Sequence, residues 1–223
     1  MVNRAVTSCA LLICALLVGG CHSGGVVPDG WVEAAAAVEA IDDADAAKLQ
    51  VIICYGRLLS NHTNMRMQTP DRPALFWDPG GYYGTNPTLA HVRGVERHKD
   101  LITARPPTLE DYWYHRHAYH DETVMEVFEW DIRPQIGQRL RSVLEQGTDD
   151  SHPAGRFDND YPGWFCCIAV SDFLRRFGQD VTPVDQKYFM PQDFAQYLWK
   201  QQPDRVHIFR RKDMSHRVYV RAR

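Results

Sequence analysis

Two adjacent cysteines, Cys166 and Cys167, follow Tyr161-Pro162-Gly163 near the start of the run Trp164 to Phe177 (WFCCIAVSDFLRRF). The run has the apolar spacing of a helix, and a Pro-Gly pair does not continue a helix backwards, so both thiols are predicted in or beside a first helical turn. A thiol there meets unpaired amides and the positive end of the helix dipole. Both favour the thiolate below its ordinary pKa of about 8.5. With a base nearby, such a thiolate is an activated nucleophile suited to acyl transfer. Helical periodicity puts Cys166 on the face of Val170, Phe173, Leu174 and Phe177, pointing toward a sheet; Cys167 lies about 100° round, with Ser171 and Leu174. The inward thiol is the better nucleophile and Cys167 the alternative. Two small buried hydrophobes, or a disulfide to Cys54, is the competing structural reading.

A second cluster is His115-Arg116-His117-Ala118-Tyr119-His120. His115, His117 and His120, with Asp121 or Glu122, have the donor types for zinc or copper. On a helix, however, only His117 and His120 share a face. The plainer reading is a solvated, cationic helix end, and no cofactor is expected. The aromatics Trp77, Tyr82, Tyr83, Tyr112, Trp113 and Tyr114 suit either core packing or a surface that binds glycan or a partner protein.

The N-terminus restricts the compartment. Met1 to Thr7 carries one positive charge, Arg4, and Ala10 to Val18 (ALLICALLV) is an apolar run too short to span a bilayer. It leads into Val18-Gly19-Gly20-Cys21, which resembles the lipobox of bacterial lipoproteins. The resemblance implies a signal peptide over 1–20, acylation of Cys21, and a lipid-anchored place in the bacterial cell envelope. His22 in place of Asp favours the periplasmic face of an outer membrane. Residues 21–30 read as a flexible tether and 31–223 as one domain. With Cys9 and Cys14 in the signal and Cys21 acylated, Cys54, Cys166 and Cys167 remain, so one thiol at least stays free. A net charge of -3 carries no signature of nucleic-acid binding.

These residues need elements to hold them. Trp31 to Ala47, rich in Ala and acids, predicts one or two surface helices. Leu49 to Leu59 and Asn61 to Met67 together read as one long strand bent near Gly56, and Gln68 to Pro73 as a turn into a strand at Ala74 to Asp78. Leu89 to Arg105 is ambiguous. Thr108 to Asp111 matches a capping box, so Leu109 to Tyr119 is a helix. Thr123 to Ile132 alternates as a strand, and Ile136 to Gln146 is an amphipathic helix. A helix at Pro191 to Lys200 and strands at Val206 to Arg210 and Arg217 to Val220 close the chain. The fold class expected is α+β, a small antiparallel sheet with the Cys-bearing helix packed on it.

An early His strand, Ser60-Asn61-His62-Thr63-Asn64-Met65-Arg66, a hairpin, and a late helix opening on Cys166-Cys167 resemble the circularly permuted papain-like hydrolases. These are relatives of NlpC-type cell-wall peptidases and of lecithin retinol acyltransferase. Pro191-Gln192-Asp193-Phe194 is similar to the Pro-x-Asp-Leu segment that follows the Cys helix in such proteins, and the likeness runs from about Val51 to Leu198. It implies Cys166 as nucleophile and His62 as general base. It also implies a third, polar residue on the next strand: Asp78, or Asn64 as its substitute, Asp78 being equally suited to start the turn at Asp-Pro-Gly-Gly. The implied function is a thiol hydrolase, amidase or peptidase, or an acyltransferase, working through a Cys thioester on peptidoglycan peptide or another envelope amide or ester. A non-catalytic envelope lipoprotein of the same fold and a metal-binding lipoprotein are the competing functions.

Overall fold

The computed structural model describes residues 24–34, 47–56, 61–79, 101–103, 108–119, 122–146 and 166–222. In chain order they form β1 (Trp31–Glu33), β2 (Ala47–Gly56), β3 (His62–Thr69), β4 (Arg72–Asp78), β5 (Leu101–Thr103), α1 (Leu109–Tyr119), β6 (Glu122–Ile132), α2 (Pro134–Gln146), α3 (Cys166–Phe177), α4 (Pro191–Lys200), β7 (Arg205–Arg210) and β8 (Ser215–Arg221). Among the described residues, eight strands make one antiparallel sheet in the order β1-β8-β7-β6-β2-β3-β4-β5. The α+β class is as expected, but the sheet is larger than the small one anticipated.

Alternation along the central strands sorts their side chains onto two covered faces. Leu49, Val51 and Ile53 of β2, with Met65 and Met67 of β3, join the core built under α2, α3 and α4 by Leu140, Leu144, Phe173 and Phe194. Ile52 and Cys54 turn to the opposite face, where Phe76, Met125 and Phe209 pack under Leu109, Tyr112 and Trp113 of α1. A strand covered on both faces reads as a continuous apolar run, which is how β2 appears in the sequence. The start of α1 is set by its cap: Thr108 Oγ1 accepts the Asp111 amide at 3.0 Å. Ile136, Leu140 and Leu144 all lie buried along α2.

Three expectations need correction. The long bent strand is two strands: β2 and β3 fold back as an antiparallel pair that brings Cys54 opposite His62. One strand over 49–67 would reach roughly 60 Å at 3.3 Å per residue, beyond any partner here; folding back pairs β2 on both edges, with β3 and β6. Trp31–Glu33 is not helical but pairs with β8, from Trp31↔Arg221 to Glu33↔Tyr219; residues 35–46 lie outside the described set. The tether, lastly, is docked over its described part. Gly25 N–H donates to Glu126 Oε1 at 2.8 Å, Arg210 Nη2 donates to Gly25 O at 2.5 Å, and Ala222 N–H reaches Gly30 O at 2.9 Å. Glycine permits this approach: a Cβ on Gly24 would sit 2.3 Å from the Tyr55 ring, and Gly25 has φ +87.

Candidate functional site

The site forms where β4 stops pairing with β3. Their register runs Met67↔Leu75, Arg66↔Phe76, Met65↔Trp77; extended one step, it sets Asp78 opposite Asn64 and diagonal to His62. His62 and Asp78 lie on the same face of the sheet, and His62 Nε2 donates to Asp78 Oδ1. Thr63, beyond the last residue paired with β4, donates its amide to Cys166 Sγ at 3.3 Å. Cys166 is the first described residue of α3, so the helix that packs on β3 brings this thiol to the end of that strand left unpaired by β4.

All three side chains are buried: Cys166 is 6% exposed, His62 9% and Asp78 0%. Burial alone would neutralise both Cys166 and His62. For His62 that effect is outweighed by the negative charges of Cys166 and Asp78, against a smaller opposing push from Arg116, and its pKa is raised to about 10. For Cys166 burial is outweighed by the charge of His62, by a hydrogen bond from its ring and by the Thr63 amide, and the thiol pKa is lowered. With Nε2 committed to Asp78, Nδ1 is the ring nitrogen left for the thiol. Each of the two groups thus favours the charged form of the other, the polarity that an activated thiol nucleophile requires.

The other two thiols behave oppositely. Cys167 packs in the apolar core, and burial, reinforced by the Cys166 charge, pushes its pKa well up. Cys54 is pushed well up by burial and then by Glu122. All three thiols are free and buried, so the disulfide alternative does not hold. Asn64, the substitute for Asp78, turns to α1 instead and donates through Nδ2 to the Tyr112 hydroxyl.

Two groups at the site carried no expectation. The Thr63 amide is backbone, which leaves no trace in residue type. Arg116 appeared only as part of the histidine cluster, yet it is buried and bonds Glu122 through Nε, 2.8 Å from Oε2, and through Nη2. Its signal was helical spacing: Leu109, Tyr112, Trp113 and Arg116 fall at i, i+3, i+4 and i+7, the buried face of α1.

The remaining candidates separate. His117 Nδ1 bonds Trp113 O at 2.9 Å, and burial lowers the pKa of the half-buried His115; His120 and Cys21 lie outside the described residues. Among the described residues no group of three His, Cys, Asp or Glu is placed to hold a metal. Trp77, Tyr112 and Trp113 are core residues at 5% exposure or less, so they form no binding surface; Tyr114 is exposed, and Tyr82 and Tyr83 lie outside the described residues. Packing took them because each falls on an inward position of β4 or α1. No family model matches the chain, and no curated protein or solved structure matches it.

Proposed function

We propose that this chain is an exported, lipid-anchored thiol hydrolase or acyltransferase with a permuted papain-like arrangement, its catalytic groups Cys166, His62 and Asp78. The observation that carries the reading is the contrast among three buried thiols, of which only the one bonded to His62 and Thr63 has a lowered pKa. Chain order supports it: the His strand comes first, then the Asp strand, then the Cys helix.

In the reaction, Cys166 Sγ attacks the carbonyl carbon of an amide or ester and the carbonyl oxygen takes the negative charge. Amides in the first described turn of α3 are the donors assigned to that oxyanion. His62 passes its Nδ1 proton to the leaving amine or alcohol, whose bond to carbon breaks, and a Cys166 thioester remains. The neutral imidazole then takes a proton from water or another acceptor, which attacks the thioester and releases the acyl group and the thiolate. Asp78 keeps the imidazole oriented and stabilises its charged form. Envelope amides and esters, peptidoglycan peptides among them, are the substrate class that export and anchoring favour.

Trapping the acyl-enzyme tests this. The full chain incubated with an activated acyl ester is expected to gain one acyl group on Cys166, released by hydroxylamine and absent from Cys166→Ala and His62→Ala. An adduct on Cys54 or Cys167 instead, or none, overturns the assignment.

A further inference from the structure

The N-terminal segment does more than join an anchor to a domain. Gly24 lies against the Tyr55 ring, Gly25 is held by Glu126 and Arg210, and Val26 follows with 67% of its surface exposed. Arg210 pairs with Ser215 across the β7–β8 hairpin, so the tip of that hairpin, Arg211 to Met214, projects beside the same segment. Arg211 and Lys212 are exposed there. Met214 is 61% exposed and has φ 50, a left-handed conformation that Gly or Asn would adopt more cheaply. The tip thus presents a long apolar side chain outward at a backbone position that favours another residue.

Between tip and segment lies a groove of about 890 Å³ whose lining includes Arg210, Arg211, Lys212 and Arg217 against a single acid, Asp213. Asp213 is turned into the hairpin, where its carboxylate accepts the Ser215 amide at 3.1 Å and hydroxyl at 2.6 Å. Arg217 shares its charge with Glu33 at 3.3 Å. In a chain of net charge -3 this is a local reversal of sign. Cys21 precedes Gly24 by three residues, a span of at most about 11 Å. An acyl chain on Cys21 therefore holds these cations close to the lipid surface, on the scale of the roughly 8 Å over which salt screens charge at physiological ionic strength.

We propose that the Arg211–Met214 tip, Val26 and the basic groove between them form a docking face for an anionic lipid bilayer, with Met214 and Val26 entering the interface and Arg211 and Lys212 meeting headgroup phosphates. The face fixes the orientation of the domain on the membrane, which an acyl anchor alone leaves open. Its proximity to lipid rests on acylation at Cys21; it does not depend on any activity of Cys166.

The test is partition of the purified full chain onto phosphatidylcholine vesicles with and without phosphatidylglycerol, beside the Arg211→Glu, Lys212→Glu double variant. Both substituted residues are exposed, so the fold is retained. Wild type is expected to prefer the anionic vesicles, to lose that preference in high salt, and to exceed the variant on them by roughly tenfold or more, the two chains being equal on neutral vesicles. Equal partition of both chains onto anionic vesicles, or no anionic preference in wild type, overturns the docking face. Intact mass reports the acyl group separately: an unacylated chain that still prefers anionic vesicles leaves the face standing and removes the anchor.

Discussion

Asp78 reaches His62 from the adjacent strand on the diagonal, one register step past the Met65–Trp77 pair, and binds Nε2 of its ring. Because Asp78 is fully buried, its charge acts on the imidazole with little solvent screening. Asp78→Asn keeps the volume and removes the charge. The His62 pKa is predicted to fall, since Asp78 raises it, and kcat/KM to drop by roughly tenfold or more. The alkaline limb of the pH–rate profile reads both effects: it moves to lower pH in the variant.

The charged pair sets the pH window of the wild type. Activity is predicted to rise as Cys166 ionises, below the ordinary cysteine value, and to fall as the imidazolium is lost near pH 10. The same shift links to stability. The His62 pKa is raised above its unfolded value of 6.5, so its contribution is complete below pH 6.5 and disappears as pH rises through about 10. His62→Ala is therefore expected to be less stable than wild type at neutral pH, with the gap narrowing toward pH 10 in chemical denaturation. Its loss of activity is predicted at roughly 10²- to 10⁴-fold.

Cys167→Ala distinguishes the two neighbouring thiols. Cys167 belongs to the same apolar core as Val170 and Phe173, and its replacement is predicted to cost about 1 kcal/mol of stability with activity kept. Loss of activity in a folded Cys167→Ala chain would reverse the choice of nucleophile.

The Arg116–Glu122 pair under α1 gives a separate stability test. Arg116→Leu leaves Glu122 buried without its guanidinium, and about 3–5 kcal/mol of unfolding free energy is predicted to go. The double variant Arg116→Leu, Glu122→Leu removes both charges and is predicted to recover most of that loss. Urea unfolding of the two variants beside wild type provides the check.

Much of this arrangement was legible where one physical signal acted alone. Alternation marked β6, the Ile136–Leu140–Leu144 stripe marked α2, and the Thr108 cap marked the start of α1. The β2–β3 division was not, because a strand buried on both faces shows no alternation to reveal where it ends. The helical composition around Trp31 lost to pairing with β8, a tertiary effect that local propensity does not contain. At the site, helix periodicity set Cys166 on the core face with Val170 and Phe173, whereas Cys167 is the thiol in that core cluster; His62 and Asp78 came from the resemblance to the permuted papain-like hydrolases. The Thr63 amide and the role of Arg116 emerged only when strands and helix were set against each other.

The most direct test of the central claim is the pH dependence of alkylation of the full chain, resolved by mass spectrometry to Cys54, Cys166 and Cys167. Cys166 is predicted to react rapidly well below the ordinary thiol pKa and to slow by at least about tenfold at neutral pH in His62→Ala, with Cys54 and Cys167 slow throughout. Uniformly slow reaction of all three thiols in the native chain, or a Cys166 rate indifferent to His62, would contradict the thiolate–imidazolium pair and the acyl-transfer chemistry built on it.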